Sequence, residues 1–224
     1  MGTELELRKK KEKLHKFLKR TNYCWNNSNC SRPQILGGLV EMLENSNCLN
    51  FEDWEQLFYK EVSKEQLNRC YFIFEDCLKK NDIEYTKQDL IDTILIHCIL
   101  ETWDGFVQER NVKSWLLNQD EVIDVEKTKQ DIDYEIGIDF VVTLTNFKKI
   151  GVQVKPISFT ISCSFMGTNI MNPLLGKMKK WKDLNENNLD IFIIFTDGEN
   201  ISNISKTQFW RYVEDWKNGR VKDV

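Results

Sequence analysis

Asp139, Gln153 and Lys155 are the residues of this sequence whose types and spacing best suit a chemical site. From residue 132 to 144 every even position is apolar, which predicts a β-strand with Asp139 on its polar face. Apolar residues alternate with polar ones again over residues 150–155, and a short turn separates the two strands. Because the polar faces of a hairpin coincide, the alternation predicts that the three side chains converge on one patch.

This patch suits the metal-assisted hydrolysis of a phosphodiester. A carboxylate such as that of Asp139 is a hard oxygen ligand of the kind that Mg²⁺ prefers, and we expect Mn²⁺ to be able to replace it. A bound metal polarises the phosphoryl oxygen and lowers the pKa of a bound water. Lys155 could orient the attacking water and offset charge that develops on the phosphate. The structural alternative is also open, in which Asp139 is a strand-end charge and Lys155 protects an edge strand.

The hairpin resembles the catalytic motif of the PD-(D/E)xK nuclease superfamily. That motif is an acidic residue on one strand, followed on the next strand by an acid, any residue and a lysine. Here it is Ile138-Asp139-Phe140 and then Gly151-Val152-Gln153-Val154-Lys155. The sequence departs from the motif at Gln153, where glutamine replaces the second acid, as in some restriction enzymes of the superfamily.

The resemblance implies an α/β restriction-endonuclease-like core, with a mixed central β-sheet flanked by helices, and a metal site with further ligands. Asp139 and the backbone carbonyl of Val154 would bind the metal. Because an amide supplies no charge, a helix-borne acid is expected to complete the site, and Glu109 on the predicted first core helix is the candidate. Glu135 is the alternative, although four residues along a strand is about 13 Å. The other competing acids are Glu101, Asp104 and Asp133.

Contacts to DNA are expected from the loop that follows the catalytic lysine and from two basic positions. In such nucleases the elements after this lysine often approach the grooves, where hydroxyl and amide groups can contact bases or phosphates. The candidate DNA-binding residues are Arg32, Ser162, Ser164, Thr168, Asn169, Asn172 and Lys177.

The pattern of elements predicts two regions. Residues 1–85 are predicted to be an N-terminal helical region that contacts DNA or forms a dimer, and residues 86–224 a nuclease core. Ser63, Thr86 and Ser205 are predicted to begin helices, residues 21–38 to be a loop, and Gly105 to bend the chain before a helix. Helices followed by a hairpin, a helix, a strand and a last helix indicate an α/β layered fold.

Composition excludes several classes of protein. The chain has 224 residues, 41% of them hydrophobic and only three of them proline, which excludes a collagen-like or fully disordered chain. No apolar run approaches the roughly 18–20 residues of a membrane span, and the charged start is not a secretory signal. The seven cysteines contain no Cys-x-x-Cys pair, so free thiols in a reducing compartment are predicted rather than a zinc site. We therefore expect a cytoplasmic protein without a membrane segment.

The charge is distributed unevenly. Residues 1–20 contain eight lysines and arginines against three glutamates, whereas the rest of the chain has 23 basic against 32 acidic groups. The basic segment is either a solvated helix face or an arm that contacts phosphates, and the sequence leaves both interpretations open.

The resulting functional hypothesis is a type II restriction endonuclease that cuts double-stranded DNA with Mg²⁺. A palindromic site cut on both strands predicts a homodimer, and a cognate DNA methyltransferase is the expected partner in the same system. Two alternatives stay open. The first is a repair or junction-resolving nuclease, and the second is a nuclease-fold protein that binds DNA without cutting it.

Overall fold

The computed structural model describes residues 3–28, 30, 33–128, 137–145, 147–157 and 190–218. The chain forms two compact units, Met1–Phe106 and Val107–Val224. The first unit extends past residue 85, where the N-terminal helical region is predicted to end.

Helices build the first unit. In chain order they are α1 (Glu4–Lys13), α2 (His15–Ser28), α3 (Pro33–Leu36), α4 (Leu39–Glu44), α5 (Phe51–Glu61), α6 (Lys64–Lys80) and α7 (Lys87–Leu95), followed by a π-helical turn (Ile96–Glu101) and the first residues of α8 (Thr102–Leu117). The core of this unit is aromatic and aliphatic. Trp54, Phe74 and Leu90 are fully buried, and the indole of Trp54 donates to the carbonyl of Ile99 at 3.0 Å. A buried indole N–H needs such an acceptor, so this hydrogen bond ties α5 to the π-helical turn.

The predicted helix starts at Ser63 and Thr86 are confirmed. Each hydroxyl accepts from the backbone N–H three residues later, and each backbone N–H donates to the side chain at that position, Gln66 or Asp89. These reciprocal bonds satisfy backbone donors that the first helical turn would otherwise leave without partners.

The predicted loop over residues 21–38 is wrong for most of its described length, because α2 continues to Ser28 and α3 follows. Asparagine and cysteine are weak helix formers, but Cys24 and Trp25 are buried in the unit. The Trp25 ring meets Phe74 of α6 edge to face, with 5.5 Å between centroids. Tertiary packing therefore outweighs the local preference for a loop.

Within the described residues of the second unit, five strands form one mixed sheet in sequence order. They are β1 (Val122–Lys127), β2 (Phe140–Leu144), β3 (Lys149–Pro156), β4 (Ile191–Asp197) and β5 (Asn200–Ile201). β1, β2 and β3 are antiparallel neighbours, β3 and β4 are parallel, and β4 and β5 are antiparallel. The predicted β2–β3 hairpin is confirmed, and the whole arrangement is the α/β fold with flanking helices that the sequence predicts.

One face of this sheet holds the core of the second unit. Phe140, Val142 and Leu144 of β2 alternate inward beside Val152 and Val154 of β3. The helices that cover this face are α8 and the last helix, α9 (Asn203–Lys217), and they contribute the buried residues Val112, Leu116, Phe209 and Val213.

Two local predictions about helices are wrong. α8 runs through Gly105 without a break, so this glycine lies inside the helix and does not precede it. α9 begins before Ser205, and the hydroxyl of Ser202 accepts from the Ser205 N–H at 3.2 Å. The Ser205 hydroxyl instead accepts from the backbone N–H of Phe195 in β4 at 2.8 Å.

The described cysteines are free thiols, and most of them are buried, as the sequence predicts. Burial and a hydrogen bond to Cys77 raise the pKa of the Cys24 thiol to about 12, so it stays protonated at neutral pH. No helix in the described part of the chain has both the length and the apolar character required to cross a membrane.

Candidate active site

Asp139 lies immediately before β2, with its backbone paired on both sides. Its N–H donates to Val152 at 2.9 Å, and its carbonyl accepts from the Thr128 N–H at 3.1 Å. Since Val152 is also the partner of Phe140 in the register, Asp139 and Phe140 both stand opposite one residue of β3. Two residues opposite one is the arrangement of a β-bulge, which redirects a side chain at the end of a strand.

The bulge brings the Asp139 carboxylate against the backbone of β3. Asp139 is only 7% exposed, and its Oδ2 accepts from the Val154 N–H at 2.5 Å. Val154 is the residue between Gln153 and Lys155, so the carboxylate contacts β3 between these two residues. The contact differs from the one that simple alternation predicts, because Asp139 reaches the backbone of β3 rather than only facing its side chains.

Gln153 is a buried polar residue with an unsatisfied oxygen. It is 3% exposed, and its Oε1 accepts no hydrogen bond from any residue that the structure describes. A buried acceptor without a partner costs about 1–3 kcal/mol, so it calls for an explanation, and a bound water or ion is one. An amide oxygen that is buried beside a carboxylate-bearing strand and has no protein partner is a suitable ligand for a hard cation.

Lys155 is partly exposed near the end of β3. Alternation along β3 places it on the same face as Gln153 and opposite the buried Val154. Across the sheet it stands beside Phe195, and its carbonyl accepts from the Thr196 hydroxyl at 3.4 Å. The parallel β3–β4 pairing therefore fixes the backbone of Lys155, and the residue is partly exposed.

Glu109 lies at the same end of the sheet as Asp139. Its carboxylate pairs with Lys127 at 2.7 Å, and Lys127 is the cross-strand partner of Phe140, the residue after Asp139. Nearby on α8, Gln108 accepts from the Thr196 hydroxyl at 3.0 Å. These contacts place the side chains of Gln108 and Glu109 over the ends of β1 and β4.

The competing acids differ in how far the structure describes them. Asp104 pairs with Arg8 at 2.8 Å, and Glu101 pairs with Lys11 at 3.0 Å, so both serve contacts inside the first unit. Asp133 and Glu135 lie outside the described residues. The same is true of the candidate DNA contacts, which are Arg32, Ser162, Ser164, Thr168, Asn169, Asn172 and Lys177.

Among the described residues, no three histidine, cysteine, aspartate or glutamate side chains come together as a metal site would need. The candidate oxygen donors at the hairpin are of three kinds: one carboxylate, one amide oxygen and a backbone carbonyl of β3. These are all hard oxygen donors, and the unsatisfied Oε1 of Gln153 fits the requirement of such a cation for one more ligand.

β1 was not predicted from the sequence, and neither were the contacts that Lys127 and Thr128 make beside the candidate site. Lys127 holds Glu109, and the Thr128 hydroxyl donates to the carbonyl of Ile138 just before Asp139. The available signal was weak, because Val125 is the one fully buried residue of β1 and the remaining positions show little alternation. A short edge strand of this kind has only a faint sequence pattern.

The mixed sheet, its flanking helices and its polar hairpin are consistent with the core of a restriction endonuclease. Residues 21–201, about four fifths of the chain, match the sequence model of the MjaI restriction endonuclease family. The chain belongs to this family. It is a type II restriction enzyme, a site-specific deoxyribonuclease that acts on DNA.

The family match includes Glu109, Asp139, Gln153 and Lys155, and it leaves out the first twenty residues. The chain matches no curated protein and no solved structure. The assignment of the individual site residues therefore depends on their chemistry and geometry.

Proposed function

We propose that this restriction endonuclease hydrolyses DNA with Mg²⁺ at the site formed by Asp139, Gln153 and Lys155, as a nuclease of the PD-(D/E)xK type. The observation that carries the proposal is the unsatisfied Oε1 of Gln153, buried next to the backbone position that holds the Asp139 carboxylate. A metal ligand at this position would explain why the protein keeps a buried acceptor that costs stability. Restriction endonucleases generally use Mg²⁺, and Mn²⁺ is the expected substitute.

Asp139, Gln153 and the Val154 carbonyl would hold the ion. The N–H and the C=O of a strand residue leave the chain on the same side, so the Val154 carbonyl faces the strand from which Asp139 comes. The Val154 N–H fixes one oxygen of the Asp139 carboxylate, which limits its rotation before any ion binds. When bound, Mg²⁺ supplies a Lewis acid that polarises the phosphoryl oxygen and lowers the pKa of a water.

Lys155 would act on the substrate directly. Its ammonium group can donate hydrogen bonds to a phosphate oxygen and to the attacking water, and its charge offsets the charge that develops on the phosphate. Water adds to phosphorus, the bond to the 3′ oxygen breaks, and this oxygen takes up a proton. The products are a 5′-phosphate and a 3′-hydroxyl.

Glu109 would add the second negative charge. Mg²⁺ with a single carboxylate is poorly neutralised, and Glu109 lies at the end of the sheet where Asp139 is. Its ion pair with Lys127 keeps the carboxylate near this end of the sheet. A partially exposed ion pair contributes no more than about 1 kcal/mol, so the Glu109 carboxylate can leave Lys127 when a metal binds.

The enzyme would work as a homodimer in the cytoplasm, with the residues around the 158–177 segment and Arg32 contacting DNA. One site cuts one strand, so a palindrome cut on both strands requires two copies related by a two-fold axis. A cognate methyltransferase would protect the host DNA.

Digestion of a mixed-sequence plasmid tests the proposal. Purified full-length protein is incubated with plasmid in Mg²⁺, in Mn²⁺ and in EDTA. Discrete bands in either metal and none in EDTA are expected. A smear would indicate a nuclease without site specificity, and cutting only at branched or mismatched DNA would favour a repair enzyme. Intact plasmid under every condition would contradict the proposal and favour a DNA-binding protein without catalysis.

A further inference from the structure

The first two helices follow each other across Leu14, a single residue that departs from helical geometry, and hydrogen bonds of the helical type continue on both sides of it. The Leu14 N–H donates to Lys10 at 2.8 Å, and the Leu18 N–H donates to Leu14 at 2.8 Å. Helical periodicity therefore carries over from α1 to α2. Leu7, Leu14 and Trp25 are buried on the inner side of these two helices.

Three basic residues hold this pair of helices on the first unit. Arg8 pairs with Asp104 at 2.8 Å, Lys10 with Asp92 at 2.9 Å and Lys11 with Glu101 at 3.0 Å. Each pair joins α1 to the segment from α7 to α8. Together with the buried leucines, they hold α1 in one orientation.

The remaining five basic residues of the segment point away from this contact. They are Lys9, Lys13, Lys16, Lys19 and Arg20. All five are exposed, and none of them forms an ion pair with any residue that the structure describes. Glu12 is also exposed among them, so the local charge stays strongly positive.

The spacing of four of these residues defines a single surface. Lys9, Lys13, Lys16 and Arg20 are separated by four, three and four residues, which places them along one helix face opposite Leu7 and Leu14. At 1.5 Å per residue the four charges cover about 17 Å. Tyr23, with 65% of its surface exposed, continues the same face. We call these four basic residues the outer basic face.

We propose that the outer basic face binds the phosphate backbone of duplex DNA independently of base sequence. Duplex DNA carries one negative charge per about 1.7 Å of its axis, so several phosphates lie within reach of a 17 Å row of cations. Ion pairs on the inner side already orient the helix, so little further ordering is needed on binding. The rest of the chain is acidic, with 32 acidic against 23 basic groups, so this segment stands out as a strongly basic part of the chain.

The proposal adds to the enzyme a DNA contact outside the family match. That match begins at residue 21, and the outer basic face comes before it. It rests on the proposed function only in taking duplex DNA as the substrate, and it does not depend on the metal site.

The salt dependence of DNA binding tests this proposal. A full-length variant with Lys9, Lys13, Lys16 and Arg20 all changed to Gln is compared with wild type on a mixed-sequence duplex without metal. Each phosphate contact contributes about 0.9 to the slope of log K against log salt, so loss of the face should reduce the slope by about 2 to 4. Circular dichroism checks that the variant is folded.

A matched control removes the same charge elsewhere in the first unit. Lys60, Lys64, Arg69 and Lys87 are three lysines and one arginine at exposed positions, and changing all four to Gln should leave the slope at the wild-type value. An unchanged slope in the first variant, or an equal reduction in both, would overturn the proposal. Binding is measured without metal, so the two proposals fail in different ways: intact plasmid in the digestion would contradict the active-site proposal, whereas an unchanged slope in the first variant would contradict this one.

Discussion

Gln153 is the residue at which stability and function are expected to conflict. Its buried Oε1 lacks a partner, so an apolar side chain of similar length should fit the site without that cost. We expect Gln153→Met to be as stable as wild type or more stable by up to about 2 kcal/mol, and to lose most of its cleavage activity. Urea denaturation without metal and plasmid cleavage measure the two properties. A destabilised Gln153→Met protein would mean that the amide has a structural partner.

The Asp139 carboxylate accepts a hydrogen bond from the Val154 N–H and is proposed to bind the metal, and one substitution separates these two roles. Asn can still accept the Val154 N–H, so Asp139→Asn should preserve the bulge while removing the negative charge. For this reason the Asn variant, rather than Ala, is the informative one for the metal site.

Glu101 provides a pH-dependent contact in the first unit. Burial alone would raise its pKa, but the hydrogen bond with His97 at 2.6 Å and the charges of His97 and Lys11 lower the pKa to about 2. A depressed carboxyl pKa stabilises the folded state above the ordinary value of 4.5, and this contribution disappears as the pH falls toward 2.

The Glu101→Gln variant should show this dependence. Because 38% of the side chain is exposed, we expect wild type to exceed the variant by only about 1 kcal/mol at pH 7. The difference in the free energy of unfolding should shrink steadily between pH 5 and pH 2. A difference that is constant over this range would show that the carboxylate contributes nothing as a charge.

At the scale of elements, Glu109 of α8 and Lys127 of β1 form an ion pair, and Glu109 either supports the metal site or only stabilises the fold. Glu109→Gln and Lys127→Met break the same ion pair from its two ends, and each should cost about 1 kcal/mol or less in stability. If Glu109 supports the metal, only Glu109→Gln should reduce Mg²⁺-dependent cleavage, by roughly ten- to a hundredfold. Cleavage rates at several Mg²⁺ concentrations provide the comparison. Equal activity of the two variants would leave Glu109 with a structural role alone.

The elements also show where sequence patterns are informative. The β2–β3 hairpin was predictable because alternation is a strong signal, and the starts of α6 and α7 were predictable from Ser63 and Thr86. The bulge at Asp139 was not, because the pattern of apolar residues continues unbroken through Phe140 while the register shifts by one. The length of α2 depended on the packing of Cys24 and Trp25 against α6, which no local pattern contains.

At the scale of the whole molecule, the basic start of the chain could be seen in the sequence, but its division into two roles could not. Arg8, Lys10 and Lys11 bind acids that are more than 80 residues further along the chain, and only the fold shows which lysines are used in this way. Four of the five remaining basic residues then form the outer basic face. Whether the basic segment is only a solvated helix face or also binds phosphates therefore depends on Lys9, Lys13, Lys16 and Arg20.

Cleavage and binding by Lys155→Ala, measured on the same DNA, test the active site most directly. The side chain is partly exposed and contributes little to the core, so the variant should fold. We predict that its DNA affinity stays within a few-fold of wild type, while the rate of Mg²⁺-dependent cleavage falls by about two to three orders of magnitude. A Lys155→Ala protein that cuts DNA at nearly the wild-type rate would contradict the account, and the catalytic site would then have to lie elsewhere in the chain.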